Sequence, residues 1–442
     1  MSQLPGTPLR APSRESLPGD VVLLDGPVAG DPLDLLPRLE TVLSRPGPAM
    51  VVATSGSTGR PKKTVLTTGA LEASGRATER STSGPGQWLL CLPAHYVAGL
   101  QVLARSVLAG TRPVVMAAEH FTPEAFADAA EGINHPVRYA SVVPTQLQRI
   151  LDPADGSPDP RAVAALARFD AVLVGGSALS PDLAARAAAA GVRVVRTYGM
   201  SETCGGCVYD GTPLDAVDVR LVPDDAAPAA SRAQLTTAAG SPRSAAGRSL
   251  SPAASSGGCT PTSAAPTAPA ATSREGRIWL GGAVVAAGYL DDPGQTGAHF
   301  RVVDGVRWYR TDDLGALDEH GTLSVLGRTD DVVNTGGVKV SAGMVSGVLQ
   351  ADERVRQALV VPVPHPEWGQ SVAAVLASRP GTDAAVLERE LSEAVREVLG
   401  APAVPKLWRH VAQLPMLPTG KPDRAAAAAL FQEPAPSTPD RT

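Results

Sequence analysis

Cysteines, aromatic residues and long apolar runs are all scarce in this sequence of 442 residues. Four cysteines are too few for a disulfide framework in a chain of this length, which favours a reducing compartment. No run of about 18 apolar residues appears, and no apolar stretch follows the N-terminal arginines, so neither a membrane span nor a secretion signal is predicted. We therefore expect a soluble, cytoplasmic protein.

An excess of charge of one sign is missing as well. The chain has 39 basic and 44 acidic residues, for a formal net charge of -5. No broad field would gather nucleic acid or an anionic membrane, so neither partner is expected. Any phosphate site must be built locally.

Groups of potential metal ligands are equally rare. Cys204 and Cys207 form a CxxC pair that could be redox-active or half of a zinc site. A zinc site needs a second ligand pair at suitable spacing, and none is evident. Metal or redox chemistry is therefore the less favoured interpretation of this pair.

Between Ala49 and Gly199, short apolar runs alternate with helix-like segments. This alternation is typical of repeated βα units, which form a mainly parallel sheet with helices on its faces, so the first part of the chain is predicted to be α/β. Ligands of such sheets bind beyond the carboxyl ends of the strands. The residues after AMVVAT, FDAVLVGG and VRVVRTYG are thus the first candidates for a site.

The composition changes abruptly between Ala226 and Ser273, where Ala, Ser, Thr, Pro and Gly dominate. Such a segment cannot offset its ordering entropy by burial, so 226–273 is predicted to be a disordered insertion, with a partner-binding loop as the alternative. Beyond it we expect strands RIWLGG and AAGYL and a hairpin turning at 319–321. After Asp330 a second, smaller α/β unit is predicted.

The strand AMVVAT runs into a loop of small residues that ends in lysines. Small residues let backbone N–H groups and hydroxyls converge on one anion while lysine adds a full charge, although such a loop alone is more often an ordinary turn. It is not a Walker A loop, because no Gly-Lys-Ser/Thr occurs. The candidate phosphate ligands are Thr54, Ser55, Gly56, Ser57, Thr58, Gly59 and Lys62.

Five further motifs follow the loop in order. They are Gly175-Gly176-Ser177, Tyr198-Gly199-Met200-Ser201-Glu202-Thr203, Tyr309-Arg310-Thr311-Asp312-Asp313, Gly327-Arg328-Thr329-Asp330-Asp331 and Pro418-Thr419-Gly420-Lys421. The series resembles the acyl-adenylate-forming (AMP-binding) superfamily over nearly the whole chain apart from the insertion. This resemblance implies a large N-terminal domain (1–330) with parallel-rich sheets flanked by helices and a distorted β-barrel, followed by a small mobile α/β domain (331–442).

The resemblance also implies an enzyme. A carboxylate would attack the α-phosphate of ATP, pyrophosphate would leave, and the thiol of coenzyme A would then displace AMP. The first step joins anionic groups, so catalysis is mainly charge neutralisation and alignment. Glu202 is implied as a catalytic residue and ligand of Mg²⁺, a cation that prefers carboxylate and phosphate oxygens. The implied nucleotide ligands beyond the loop are Gly175, Gly176, Tyr198 (adenine), Ser201, Asp313 (ribose) and Arg328.

The same resemblance makes Lys421 the catalytic lysine of adenylation, bridging the attacking carboxylate and the α-phosphate. Asp330 matches the hinge about which the small domain rotates between the two half-reactions, and Gly337 lies on the face that would then meet the pantetheine tunnel of coenzyme A. Asp312 departs from the pattern, because the family usually has glycine there. That residue adds a negative charge near the nucleotide and puts the local turn in question.

Two strings, LPAHYVAGLQVLARS from Leu92 and YGMSETCGGCVYDG from Tyr198, look like the o-succinylbenzoate-CoA ligases of menaquinone biosynthesis. On this resemblance the CxxC pair is pocket wall. A dianionic aromatic acid needs apolar wall, small residues and one or two cationic or amide donors. The candidate pocket residues are His95 (also a catalytic candidate), Arg105, Ser177, Gly199 and Met200. For Arg105, a solvated helix face is an equally good explanation.

Three alternatives remain. Within the enzyme class, the chain could be another aryl- or acyl-CoA ligase or an adenylation domain that loads a carrier protein. A non-catalytic acyl-nucleotide-binding protein is disfavoured by the presence of Glu202, Asp313 and Lys421. A P-loop kinase or NTPase conflicts with the missing Walker A spacing and would release ADP instead of AMP.

Overall fold

The computed structural model describes residues 4, 6–54, 62–117, 120–153, 157–223, 274–417 and 420–432. The predicted insertion lies outside these residues, as do five of the candidate phosphate ligands and part of the last motif. The residues concerned are Ser55, Gly56, Ser57, Thr58, Gly59, Pro418 and Thr419. Within the described chain, no helix is both long and apolar enough to cross a membrane.

The described strands are β1 Thr7–Pro8, β2 Val22–Leu24, β3 Pro48–Thr54, β4 Lys62–Thr67, β5 Gln87–Leu90, β6 Val114–Val115, β7 Arg138–Val142, β8 Ala171–Val174, β9 Val194–Met200, β10 Gly205–Tyr209, β11 Thr212–Pro213, β12 Val217–Val222, β13 Arg274–Gly282, β14 Gly288–Tyr289, β15 Phe300–Val303, β16 Val306–Leu317, β17 Leu323–Arg328, β18 Val332–Thr335, β19 Val338–Ser341, β20 Val355–His365, β21 Gly369–Ser378 and β22 Leu407–His410. The described helices are α1 Leu36–Leu43, α2 Thr68–Ser81, α3 Val97–Ala109, α4 Pro123–Glu131, α5 Pro144–Leu151, α6 Pro160–Ala167, α7 Pro181–Ala189, α8 Pro293–His299, α9 Ala342–Leu349, α10 Ala384–Leu399 and α11 Arg424–Ala429.

A seven-stranded sheet, in the order β11-β10-β9-β8-β7-β5-β6, forms the centre of the N-terminal part. The strands from β9 to β6 in this order are parallel, and β10 and β11 are antiparallel. In β5, Trp88 and Leu90 pack with residues of α2 and α3, whereas Leu89 faces a core that includes α4 to α7. Helices therefore cover both faces, which confirms the predicted α/β class.

The strand AMVVAT differs from the expectation that it begins the parallel series. It forms β3 in a separate four-stranded sheet, β14-β4-β3-β2, where it is antiparallel to β4 and parallel to β2. Strand β4 follows the phosphate loop and pairs with β3, where a βα unit would instead have a helix leading to a parallel strand. The loop therefore connects two antiparallel strands.

A six-stranded antiparallel sheet has the order β1-β15-β16-β13-β12, with β17 paired to β16. Among the described residues its outer strands β1 and β12 do not pair with each other, so the sheet is open, without barrel closure. The hairpin between β16 and β17 turns at 318–322, where the amide of Asp318 donates to the carbonyl of Thr322, as predicted.

The last sheet, β19-β18-β21-β20 with β22 on β21, is built wholly from residues after Asp330. Helices α9 and α10 bury Val345, Leu349, Leu387 and Leu391 in a core shared with β20 and β21. The mixture of helices and strands agrees with the smaller α/β unit predicted after Asp330. We call residues 331–432 the C-terminal unit.

Candidate active site

Close backbone approaches form the floor of the site beside β8 and β9. A Cβ atom on Gly175 would lie 2.4 Å from Oγ1 of Thr197, and one on Gly199 would lie 2.0 Å from the carbonyl oxygen of Gly205. Neither position has room for a side chain. The two glycine motifs therefore bring backbone to the carboxyl edge of the parallel sheet, where a flat ring could lie against it.

Tyr198 and Asp313, expected at the adenine and the ribose, are in direct contact. The Tyr198 hydroxyl donates to Oδ2 of Asp313 at 2.6 Å, while Nη1 of Arg328 lies 3.5 Å from Oδ1. Burial raises the pKa of Asp313, whereas Tyr198 and Arg328 act to lower it. Arg328 also forms a bidentate pair with Asp330, at 2.7 Å for each bond. One guanidinium thus joins the ribose candidate to the hinge candidate.

Asp312, the departure from the family pattern, has two cationic neighbours. Its carboxylate lies 3.4 Å from Nη1 of Arg277 and 3.7 Å from Nη2 of Arg328. Arg277 is itself buried, and its guanidinium also reaches the carbonyl of Thr311. The extra negative charge is therefore balanced, and Thr311 and Asp313 keep their places in β16.

Glu202 lies on a short 3-10 turn, Ser201–Thr203, that follows β9. The turn ends at Cys204, which has a left-handed conformation with φ of 53°. The residues from Ser201 to Cys204 are all buried. The Glu202 carboxylate accepts a 2.6 Å hydrogen bond from the hydroxyl of Tyr289. A buried carboxylate with a fixed orientation is suited to holding a hard cation.

The loop that carries Lys421 is docked against the N-terminal part of the chain. The amide of Leu417 donates to the Lys421 carbonyl at 2.8 Å, and a Cβ on Gly420 would lie 2.9 Å from Cγ2 of Val143. Val143 precedes α5 and also lies within 3.4 Å of where a Cβ on Gly176 would be. Val143 is therefore a common neighbour of the loop that carries Lys421 and of Gly176.

Several charged groups of the site influence the pKa of Lys421. Although the residue keeps exposed surface, desolvation is the largest influence on its pKa, which is lowered. Arg328 lowers this pKa further, while Glu202 and Asp313 act to raise it. The structure thus brings together four of the predicted residues from four separate motifs.

Arg105 is buried in α3, which decides against the solvated-face interpretation. Only 4% of its surface is exposed, and its guanidinium lies 5.1 Å from the ring centre of Trp88. Among the described residues no ion pair joins Arg105 to a carboxylate, and its Nε has no hydrogen-bond partner. One turn earlier, Gln101 donates to the carbonyl of Cys204 while its own buried Oε1 has no partner in the described chain.

His95 lies half-buried at the turn before α3, with its ring centre 4.1 Å from that of Tyr96. Burial lowers the pKa of His95, so the neutral ring predominates near neutral pH. Ser177 and Met200 are partly exposed beside Gly176 and Gly199. His95 and Ser177 follow β5 and β8, and Met200 ends β9, so all three come after the carboxyl ends of parallel strands in one sheet, where a pocket is expected.

The CxxC pair is enclosed in the core. Cys204 and Cys207 are fully buried free thiols, and burial raises the pKa of each to about 12. In the part of the chain that the structure describes, no group of three or more His, Cys, Asp or Glu side chains could hold a metal. Both thiols pack as wall behind the Glu202 turn.

Gly337 is located apart from these groups. Gly336 and Gly337, with φ of 57° and 81°, make the exposed turn between β18 and β19, and Gly336 packs beside Trp368. Lys62 begins β4, and its Nζ lies 5.1 Å from the centre of the Tyr289 ring. Thr54 ends β3 opposite Lys62, so the two ends of the phosphate loop are neighbours.

Sequence reasoning missed three residues of this site, Arg277, Tyr289 and Gln101. Tyr289 and Arg277 fell within predicted strands, where a side chain is ordinarily a packing residue, and Gln101 lay within the string from Leu92 without being singled out. Each matters through a contact with a residue distant along the chain. A sequence shows no local signal for such contacts.

Comparisons with known proteins agree with this geometry. The family model described as AMP-binding enzyme matches residues 17–290, and the model of the AMP-binding enzyme C-terminal domain matches residues 345–421. A probable 2-succinylbenzoate–CoA ligase of Mycobacterium tuberculosis is 37% identical over 394 residues, which cover 87% of this chain and 84% of the relative.

Among solved structures, the amide bond synthetase McbA from Marinactinospora thermotolerans matches with a TM-score of 0.64 and 24% identity, over 87% of this chain and 69% of its own. The o-succinylbenzoate CoA synthetase MenE from Bacillus subtilis, solved with the acyl-adenylate intermediate OSB-AMP, matches with a TM-score of 0.61 and 23% identity over 86% and 69%. At these identities the two structures show a shared fold.

Proposed function

Because the chain belongs to the AMP-binding enzyme family, we propose that it is an ATP-dependent ligase that joins o-succinylbenzoate to coenzyme A through an acyl-adenylate, as menaquinone biosynthesis requires. The observation that carries the reaction type is that Lys421 lies near Glu202, Asp313 and Arg328, whose charges all act on its pKa. The choice of acid is supported by the relative at 37% identity and by the buried cation Arg105.

In the first half-reaction a carboxylate oxygen of the acid forms a bond to the α-phosphorus of ATP, and the bond from that phosphorus to the pyrophosphate oxygen breaks. In the second, the thiolate sulfur of coenzyme A bonds to the acyl carbon and AMP leaves with the electrons of the acyl–oxygen bond. The thiol proton passes to solvent. The protein mainly aligns anions and offsets their charge.

The site residues fit a role for Mg²⁺ brought in with the phosphates of ATP. Glu202 offers a buried carboxylate oxygen, and the triphosphate would supply further oxygens, so a ligand cluster made only of protein is not needed. When bound, the ion would neutralise phosphate charge. The phosphate loop, with Thr54 and Lys62 at its ends, would hold the β- and γ-phosphates.

Lys421 is proposed as the cation that bridges the attacking carboxylate and the α-phosphate. Desolvation lowers the pKa of Lys421, and the negative charge of the two anions would favour the protonated form that the bridge needs. Tyr198, beside Gly175 and Gly176, would hold the adenine, and Asp313 would accept from the ribose.

The acid pocket is proposed to lie between the start of α3 and the edge of β9. Arg105 and the orphan oxygen of Gln101 lie one helical turn apart at its base. Arg105 would pair with the carboxylate that does not react, which explains a buried guanidinium that has no carboxylate partner among the residues described. His95 would border the ring of the acid.

We further propose a large domain ending at Asp330 and a small one following it. Rotation about Asp330 would withdraw Lys421 after adenylation and carry the turn at Gly337 towards the pantetheine tunnel. Since the reaction consumes ATP and coenzyme A, the proposal places the enzyme in the cytoplasm.

The test is acid-dependent exchange of labelled pyrophosphate into ATP, followed by product analysis with coenzyme A. We expect exchange with o-succinylbenzoate and little with benzoate, which lacks the succinyl carboxylate. Addition of coenzyme A should yield AMP and the thioester in equal amounts. Exchange with a different acid alone would favour another CoA ligase, AMP without thioester would favour a carrier-loading domain, and ADP would exclude the whole class.

A further inference from the structure

One buried tyrosine, Tyr289, joins the two parts of the site that handle the phosphates. Its hydroxyl donates to Oε1 of Glu202 at 2.6 Å, and its ring lies 5.1 Å from Nζ of Lys62. Glu202 and Lys62 are 140 positions apart in the chain: Glu202 lies on the turn between β9 and β10, whereas Lys62 begins β4 of another sheet. A single side chain therefore contacts both the proposed metal ligand and the lysine that closes the phosphate loop.

The backbone around Tyr289 makes the same bridge. The amide of Ala286 donates to the carbonyl of Glu202 at 2.9 Å, and the amide of Leu290 donates to the carbonyl of Lys63 at 2.8 Å. Between these bonds, Tyr289 lies opposite Thr64 in the pairing of β14 with β4. Segment 286–290 thus ties the Glu202 turn to the first residues after the phosphate loop.

The side chain is held rigidly in this position. It is 1% exposed, its ring meets Phe300 edge-on at 5.3 Å between centres, and the hydroxyl of buried Thr296 accepts from its amide at 3.0 Å. An ionised carboxylate has only acceptor oxygens, so the Tyr289 hydroxyl is the donor in its bond to Glu202. Side chains that orient a metal ligand in this way typically change metal affinity by roughly 10- to 100-fold when mutated.

We propose that Tyr289 is a positioning residue for ATP, which aims the Glu202 carboxylate at the phosphate-bound metal through its hydroxyl and steadies Lys62 through its ring. This inference rests on the proposed function. The two contacts make separable predictions. The hydroxyl affects binding only when a metal is present, whereas the ring, through Lys62, affects nucleotide binding with or without a metal.

The test uses Tyr289→Phe, which removes only the hydroxyl and preserves the ring and its packing. Mn²⁺ serves as the probe: its dissociation constant is measured with saturating ATP by electron paramagnetic resonance of the free ion, and ATP affinity is measured separately in EDTA by calorimetry. We expect Tyr289→Phe to weaken Mn²⁺ retention about tenfold and to leave ATP affinity in EDTA unchanged. Tyr289→Leu, which also removes the ring, should weaken ATP binding in EDTA as well.

Tyr309→Phe is the matched control. Its hydroxyl lies 3.4 Å from that of Tyr289 in the same buried cluster, and no hydrogen bond joins it to Glu202 among the described residues. It should change Mn²⁺ retention far less than Tyr289→Phe. Equal effects of the two variants, or a wild-type Mn²⁺ affinity in Tyr289→Phe, would overturn the inference whether or not Tyr289→Leu folds. A wild-type protein that binds no Mn²⁺ with ATP, or a Glu202→Gln variant that binds it normally, would instead contradict the proposed function.

Discussion

The guanidinium Nε of Arg356 lies 3.2 Å from Oδ2 of Asp152 and joins the C-terminal unit to the N-terminal part of the chain. Arg379 forms ion pairs with both Asp152 and Asp182. The side chains of Arg356 and Asp152 are largely buried. We call Asp152, Asp182, Arg356 and Arg379 the interface cluster. Under the proposed rotation about Asp330 these groups would separate when the lysine loop is withdrawn, so the cluster should favour the docked arrangement.

Substitution of Arg356 by methionine should therefore shift the balance between the two arrangements. We expect acid-dependent pyrophosphate exchange to fall roughly tenfold, equivalent to about 1.4 kcal/mol, since Arg379 still pairs with Asp152. Conversion of preformed acyl-adenylate to thioester should be unchanged or faster. Arg161→Met, which removes an exposed cation paired to Asp128 and Glu131 within the N-terminal part, is the control and should affect neither rate. A loss in both half-reactions would argue that the cluster merely stabilises the fold.

Lys421→Ala should abolish the first half-reaction selectively. Its ammonium offsets charge that builds at the α-phosphate, so adenylation should fall by on the order of 10³-fold. Thioester formation from supplied o-succinylbenzoyl-adenylate and coenzyme A should stay near the wild-type rate, as followed by chromatography of AMP and thioester. Equal loss in both steps would assign Lys421 a structural role and contradict rotation about Asp330.

Arg105→Met should separate recognition of the acid from stability. Loss of a charge-assisted pair costs about 1.5–3 kcal/mol, so the KM for o-succinylbenzoate should rise roughly 10- to 100-fold with little change in the KM for ATP. Because the buried guanidinium has no carboxylate partner in the described part of the chain, a methionine of similar length should leave the melting temperature equal or higher. A drop in melting temperature with an unchanged KM would show that Arg105 is a core residue only.

Removal of the segment at 226–273 should be nearly harmless. The strands on either side of it, β12 and β13, are antiparallel neighbours, with Val222 opposite Arg277. A few Gly and Ser residues can join such strands, and closure entropy changes slowly with loop length. The shortened chain should keep its turnover and its melting temperature; failure to fold, seen by circular dichroism, would mean that the segment contributes contacts of its own.

The sequence by itself determined the family, the α/β class and most elements. Motifs such as Tyr198-Gly199-Met200-Ser201-Glu202-Thr203 are contiguous, and the periodicity that predicts helices such as α3 and α10 is local, so both can be read without a structure. The residues predicted at the nucleotide, Tyr198 and Asp313, do lie together.

Only the tertiary structure decided which charges and polar groups meet. It buried Arg105, where helical spacing allowed an exposed face; it set Arg277 beside Asp312, 35 positions away; and it placed Tyr289 on Glu202 across 87 positions. It also placed β3 in a mixed sheet, because β3 pairs with β4, the next strand in the chain, and not with the strands of the parallel sheet. Such contacts depend on how several elements pack at once, and apolar periodicity fixes which face of a strand or helix is buried without fixing what lies opposite it.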